Sequence, residues 1–413
     1  MIQNSLLKKA TYFYAPIWIG DFKKFVLALK GDQRYVSLEK NNPPMYLLPY
    51  AADIYKDDSL FFGFELKKEF LPKLCMYSER LNLKNDPELI SVKIYAFDTG
   101  CAFAEFYVGY GDLPTEQIVD FSFRFKNATR TDSSNGYSLT MLDALNDLLS
   151  SYPSAKIFFT AFGNKRECRM FHHIFDKDNL SESDIQKHIR HLARGYHKNF
   201  LIPENDGDYD MIYRPYSHDY WAGSQEGLIN YYHLSGDDST DSFSEQYKYD
   251  HIANNYAFMY LMLLNQRFGA IQLISEITKY ENCTKSEKMA LNKKIVQLKT
   301  TFSFKIVSDD QLYQNVYNRM YDLLDIDRLL DDIRDNEQQA EIIRNCEALE
   351  QEKLTSYILL GLSVLSVFSV LIDASSYFDR IPYINEMSTA LSFVCLVIIV
   401  SLCVGKWLKY KKE

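Results

Sequence analysis

Two stretches near the end of the chain limit what it can fold into more than any other feature. Residues 354–372 and 387–405 are each 19 residues long and carry no charged side chain. A helix needs about 20 apolar residues to cross a bilayer core. A pair of such stretches behind roughly 350 residues of ordinary polar sequence predicts a large polar body attached to a small membrane hairpin. The flanks give an orientation. Lys406, Lys409, Lys411 and Lys412 follow the second stretch, while the connection 373–386 holds Asp373, Asp379, Glu386 and one base, Arg380. Lysine excess marks the cytoplasmic side. The expected location is therefore a bacterial inner membrane, crossed more than once, with both termini in the cytoplasm. The first residues have no uninterrupted apolar core after Lys8 and Lys9, so they do not read as a signal peptide.

The seven cysteines are scattered without a CxxC pair, as suits a reducing compartment. The net charge of −9 argues against a nucleic-acid partner, which calls for a basic face. A small nucleotide in a local basic pocket remains compatible with it.

The first part reads as strands in short aromatic and β-branched runs: 12–19, 45–50, 60–66, 91–97, 102–110 and 156–162. The run at 91–97 and the one at 102–110 flank Asp98-Thr99-Gly100-Cys101, a hairpin turn. Pro114 followed by Glu116, Gln117 and Asp120 marks a helix start, and 138–150 has helical spacing. Packed together, these elements predict a two-layer α/β domain. Residues 200–250 are dense in Asp, Gly, Ser, Pro and Tyr and read as long loops. Helices are expected over 254–280, 286–304 and 310–353, the last running into the first uncharged stretch. In it Val316, Met320, Leu323, Ile326, Leu330, Ile333, Glu337, Ala340 and Ile343 recur at three- or four-residue steps, a coiled-coil-like spacing. One helix over 310–372 would be about 95 Å long and would need neighbours, most simply further copies of the chain.

This layout resembles the CorA family of magnesium channels. In that family several subunits surround a pore, and a long stalk helix continues as the pore-lining span. The family's Gly-Met-Asn signature would fall near 373–379, where this chain reads DASSYFD. The missing signature, the extra length and the Phe/Tyr-rich first domain are similar to a divergent branch found beside type III CRISPR systems. There the membrane protein is an antiviral effector gated by a signal nucleotide. The resemblance implies an α/β cytoplasmic domain, a long-helical stalk and a C-terminal two-helix transmembrane hairpin. It divides the chain into a sensing domain over 1–250, a helical hairpin and stalk over 251–353, spans at 354–372 and 387–405 joined by the external loop 373–386, and a basic tail from 406.

Three groups of residues are candidates for the site. Arg194, His197, Lys198, Arg214, Tyr216, His218 and Trp221 lie in a segment rich in cations and rings. Cations bind phosphate, and aromatic faces stack on bases; the competing reading is an ordered loop that closes over the core. Ser356, Ser363, Ser366 and Ser369 would share one face of the first span and offer hydroxyls to an ion, or else let helices pack closely. Asp322, Asp325, Asp331 and Asp332 crowd the stalk and could hold Mg²⁺, which prefers oxygen ligands, or form a solvated face. Cys168, His172, His188 and His191 have zinc-like spacing, and Asp98-Thr99-Gly100 matches the aspartic-protease tripeptide but is also good turn chemistry. No phosphate-binding glycine loop and no GxSxG or HExxH motif occurs, so no enzyme is expected.

The expected function is a homo-oligomeric channel, tetrameric or pentameric in the bilayer, gated by a cyclic oligoadenylate or an S-adenosylmethionine–AMP conjugate. The alternatives are a divergent Mg²⁺ transporter without nucleotide gating and a membrane-anchored sensor or scaffold without a pore.

Overall fold

The computed structural model describes residues 8–40, 44–71, 83–127, 149–152, 155–157, 168–176, 180–202, 213–233, 252–279 and 284–377. In chain order the elements are β1 (Lys9–Ile19), α1 (Phe22–Gly31), β2 (Tyr35–Ser37), α2 (Pro49–Lys56), β3 (Phe61–Leu66), β4 (Glu88–Phe97), β5 (Cys101–Gly109), α3 (Thr115–Asn127), β6 (Ala155–Ile157), β7 (Arg169–Asp176), α4 (Glu182–Arg194), β8 (Tyr213–Tyr216), β9 (Asp219–Gly223), β10 (Gly227–His233), α5 (Ala257–Ile277), α6 (Lys285–Gln297), α7 (Gln311–Leu323) and α8 (Ile326–Tyr377). The chain divides into two compact units, Met1–Arg334 and Asp335–Glu413.

The first unit is built on one mixed sheet in the order β2-β3-β4-β5-β1-β7-β10-β9-β8, with β6 also paired to β1. Its pairs are antiparallel except β7 with β10, which run parallel. β1 is central although it contains Pro16, which lacks a ladder donor. The pairing explains how. β1 pairs with β7 through Tyr14 and with β6 from Ile17 onward, so Pro16 falls in the gap between these two partners.

Alternation along β1 assigns the two faces. Phe13, Ala15, Ile17 and Ile19 point into an apolar core with Phe25 of α1, Phe121 and Phe125 of α3 and Ile189 of α4. Tyr12 and Tyr14 point the other way, towards α5. Tyr12 stacks on Tyr107 at 4.3 Å with planes 6° apart, and Tyr14 Oη donates to the Ala257 carbonyl at 3.5 Å. That second layer is aromatic. Phe61, Phe97 and Phe103 meet Phe258 of α5, Phe302 just after α6 and Phe268 of α5 at ring separations of 5.5–6.1 Å. α5 is buried around most of its circumference, as an all-round apolar helix must be. α6 and α7 pack on it.

Several expectations change. The long-helical stalk with a two-helix transmembrane hairpin is overturned: among the described residues no helix is long and apolar enough to cross a membrane. Residues 354–372 lie within α8, which joins them to a charged first half, and 387–405 lie outside the described residues. The stalk is not one helix either, since α7 ends at Leu323 and α8 begins at Ile326. Residues 45–50 are a turn entering α2, with Pro49 in its first turn, a favoured place for proline. Residues 213–233, expected as loop, form three strands. Their Tyr, Trp and Ile content favours a half-buried pleat, and their turn residues sit only at 217–218 and 224–226. The helix expected at 138–150 lies outside the described residues except at its end.

Candidate ligand site at the carboxyl ends of the parallel strands

In open α/β sheets ligands bind beyond the carboxyl ends of parallel strands. Here those ends are Asp176 of β7 and His233 of β10, which are register partners. Asp176 is fully buried. Its Oδ1 accepts from Lys9 Nζ at 3.0 Å, and its Oδ2 accepts from Thr115 at 2.5 Å and Tyr231 at 3.1 Å. Lys9 also donates to the Leu113 carbonyl at 3.2 Å. This cluster locks the start of β1, the start of α3 and the end of β7 together, and so forms the floor of the site.

Above the floor lie the β8–β9 turn and the first turn of α4. His233 N–H donates to the His218 carbonyl at 2.9 Å, and the two imidazole rings sit 6.1 Å apart. Arg214 donates from Nε to the Ser217 carbonyl at 2.9 Å and from Nη1 to Glu182 at 3.4 Å. Its guanidinium lies 4.6 Å from the Tyr220 ring centre. Tyr220 Oη donates to Glu182 at 2.7 Å. That bond, ahead of the Arg214 charge, holds the Glu182 carboxyl below its ordinary range. Burial, with Glu182 adding to it, pushes the Tyr220 hydroxyl up to about 12. Tyr216 is 60% exposed at the same end. Among the described residues, Nδ1 of His233 and Nδ1 of His188 have no hydrogen-bond partner. Burial lowers the His188 pKa, and the Asp176 charge opposes that shift. The arrangement offers imidazole and guanidinium donors to an anion and a ring face to a flat group.

The seven predicted ligand residues are not all brought together. Arg214, Tyr216 and His218 meet at this end. Arg194 is buried at the opposite end of α4, roughly 18 Å from Glu182 at 1.5 Å per residue, with its guanidinium over the Tyr196 ring. Lys198 pairs with Asp120 at 2.8 Å and Glu116 at 3.6 Å, and His197 lies 3.5 Å from Asp120. Both side chains face carboxylates of α3, and Lys198 pairs with two of them. Trp221 is buried on the α5 face, 4.6 Å from the Tyr256 ring.

The other candidates are also placed. Ser356, Ser363, Ser366 and Ser369 are exposed on α8. Ser363 and Ser366 donate to the carbonyls of Leu359 and Ser363 at 2.8 and 3.0 Å. Asp322, Asp325, Asp331 and Asp332 are exposed. Asp325 accepts from Gln225 and Asp331 pairs with Arg334. Among the described residues no three His, Cys, Asp or Glu side chains form a group that could hold a metal. The zinc-like set is committed elsewhere: His172 bonds Thr11, and His191 bonds the carbonyls of Lys187 and Phe200. Asp98-Thr99-Gly100 is the β4–β5 turn, with Gly100 at φ 91°.

Lys9, Asp176, Thr115, Glu182 and His188 were not among the predicted ligand residues. Lys9 and Asp176 are 167 residues apart, and only the β1–β7–β10 pairing joins them. No protein-family model matches the chain. No curated protein and no solved structure matches it either.

Proposed function

We infer that the protein is a binding sensor for a small anionic, nucleotide-type ligand, held beyond the carboxyl ends of β7 and β10. The observation that carries this reading is the convergence there of Arg214, His218, His233 and the exposed Tyr216 ring over a buried, fully bonded floor. Arg214 engages an N–H on each of its three nitrogens in the described chain, out of five, so it keeps donors for a ligand phosphate. Signal nucleotides of the cyclic oligoadenylate and S-adenosylmethionine–AMP kinds are the probes to use, because they combine phosphate with a purine ring.

The test is isothermal titration of the full chain with this panel. The reading expects saturable binding of at least one member. It also expects Arg214→Ala to weaken that binding about tenfold or more, the scale of a lost charge-assisted hydrogen bond. Heat signals absent across the panel, with the chain folded, would contradict it.

A further inference from the structure

The apolar spacing through the α7–α8 region predicts one helix. Val316, Met320, Leu323, Ile326, Leu330 and Ile333 keep three- or four-residue steps, and no Gly or Pro occurs between 311 and 360. The helix nevertheless stops at Leu323 and restarts at Ile326. Between them Asp325 holds φ 52°, and it is the one non-glycine residue with positive φ among the described residues. Such a conformation costs energy and persists only where its surroundings impose it.

The surroundings that impose it are identifiable. Arg267 of α5 donates from Nη1 to the Leu324 carbonyl and from Nη2 to Gln225 Oε1 at 3.4 Å. Gln225 Nε2 donates to Asp325 Oδ2 at 2.6 Å. Gln225 lies in the β9–β10 turn, which is anchored in turn: Ser224 Oγ donates to the Ala193 carbonyl at 2.7 Å, and Glu226 pairs with Lys126. In an uninterrupted helix the Leu324 carbonyl would accept from the N–H of Arg328. Arg267 therefore occupies an acceptor that the continuous helix needs. Leu324 and Ile326 are both fully buried, so the interruption also has its own packing.

We propose that the Leu324–Asp325 interruption is a clamped conformational switch. Gln225 and Arg267 hold α7 and α8 as two helices, and release of the clamp joins them into one. The switch is independent of the ligand site. Joining the helices moves Asp325 into the right-handed region and hands the Leu324 carbonyl to Arg328.

Hydrogen exchange on the full chain tests this. In the interrupted form the first amides of α8, at 326–328, lack helical acceptors; in the joined form they gain the carbonyls of 322–324. Asp325→Ala removes the Gln225 contact and penalises positive φ. It is expected to slow exchange at 326–328 about tenfold. Asp325→Gly also loses the Gln225 contact, but it accepts positive φ, disfavours a continuous helix and keeps Arg267 on the Leu324 carbonyl, so those amides are expected to exchange as in the wild type or faster. Gln225→Ala with Arg267→Ala is expected to act like Asp325→Ala. Unchanged protection of β1 and β5 reports an intact fold. Equal exchange for Asp325→Ala and Asp325→Gly in an intact fold overturns the proposal. If Asp325→Ala fails to fold, the clamp variant decides: slower exchange supports the switch, and unchanged or faster exchange overturns it.

Discussion

Lys9 and Asp176 are charged groups with side chains 10% and 0% exposed. Taking such charges out of water is costly, and losing one partner leaves the other uncompensated. Lys9→Met should therefore destabilise the first unit by about 3–5 kcal/mol. Adding Asp176→Asn, which still accepts from Thr115 or Tyr231, should restore part of that loss. Urea unfolding of both variants checks the pair. His172 makes a different case. Burial lowers its pKa from 6.5 to about 3, so it stays neutral in the fold while the unfolded chain takes up a proton below about 6.5. The unfolded state then binds more protons, and stability falls as pH drops from about 6.5 towards 3, by up to about 1.4 kcal/mol per unit. His172→Gln should give a flatter acid limb in thermal melts between pH 6 and pH 4. A slope equal to the wild type's would remove His172 from the account. Neither residue was legible as a core group in the sequence. A lysine nine residues from the start and a histidine at zinc-like spacing reveal their roles only through partners 161–167 residues away.

Elements were easier to read where local pattern and tertiary demand agree. β3, β4 and β5 match runs of aromatic and β-branched residues, and the Asp98-Thr99-Gly100-Cys101 turn joins β4 to β5 as an antiparallel pair. Where the two conflict, the sheet prevails. Residues 213–233 look like loop by composition, yet β10 finds β7 as a parallel partner and draws β9 and β8 in behind it. The close packing of that pair has a local requirement. A Cβ at Gly227 would stand 2.9 Å from the Met170 carbonyl oxygen and 3.3 Å from that of Ala193, and neither backbone atom can retreat without moving β7 or α4. Gly227→Ala should destabilise by about 1–3 kcal/mol, as overpacking does. Gly31→Ala meets nothing within 4 Å and should be neutral or slightly stabilising. Chemical denaturation of the two alanine variants compares them directly, and equal midpoints would contradict the packing argument.

At the scale of the whole molecule, the sequence carried the α/β character of the body, because periods of two and of three to four residues are local properties. It did not carry the sheet order, the burial of Lys9 and Asp176, or the separation of the predicted cations. Arg194, His197 and Lys198 look equivalent to Arg214 and His218 along the chain. In space α4 sets the two groups apart, and α3 carboxylates pair with Lys198. The uncharged stretches suggested a transmembrane hairpin because composition alone was read there. Among the described residues no helix meets that requirement. Arg214 shares Glu182 yet keeps N–H donors for a ligand, whereas Lys198 is held between two carboxylates of α3. That contrast is tested most directly by titrating the panel of signal nucleotides into two variants of the full chain, Arg214→Ala and Lys198→Ala. Arg214→Ala should lose about tenfold or more in affinity, and Lys198→Ala should bind like the wild type. Loss confined to Lys198→Ala, with Arg214→Ala binding normally, would contradict it.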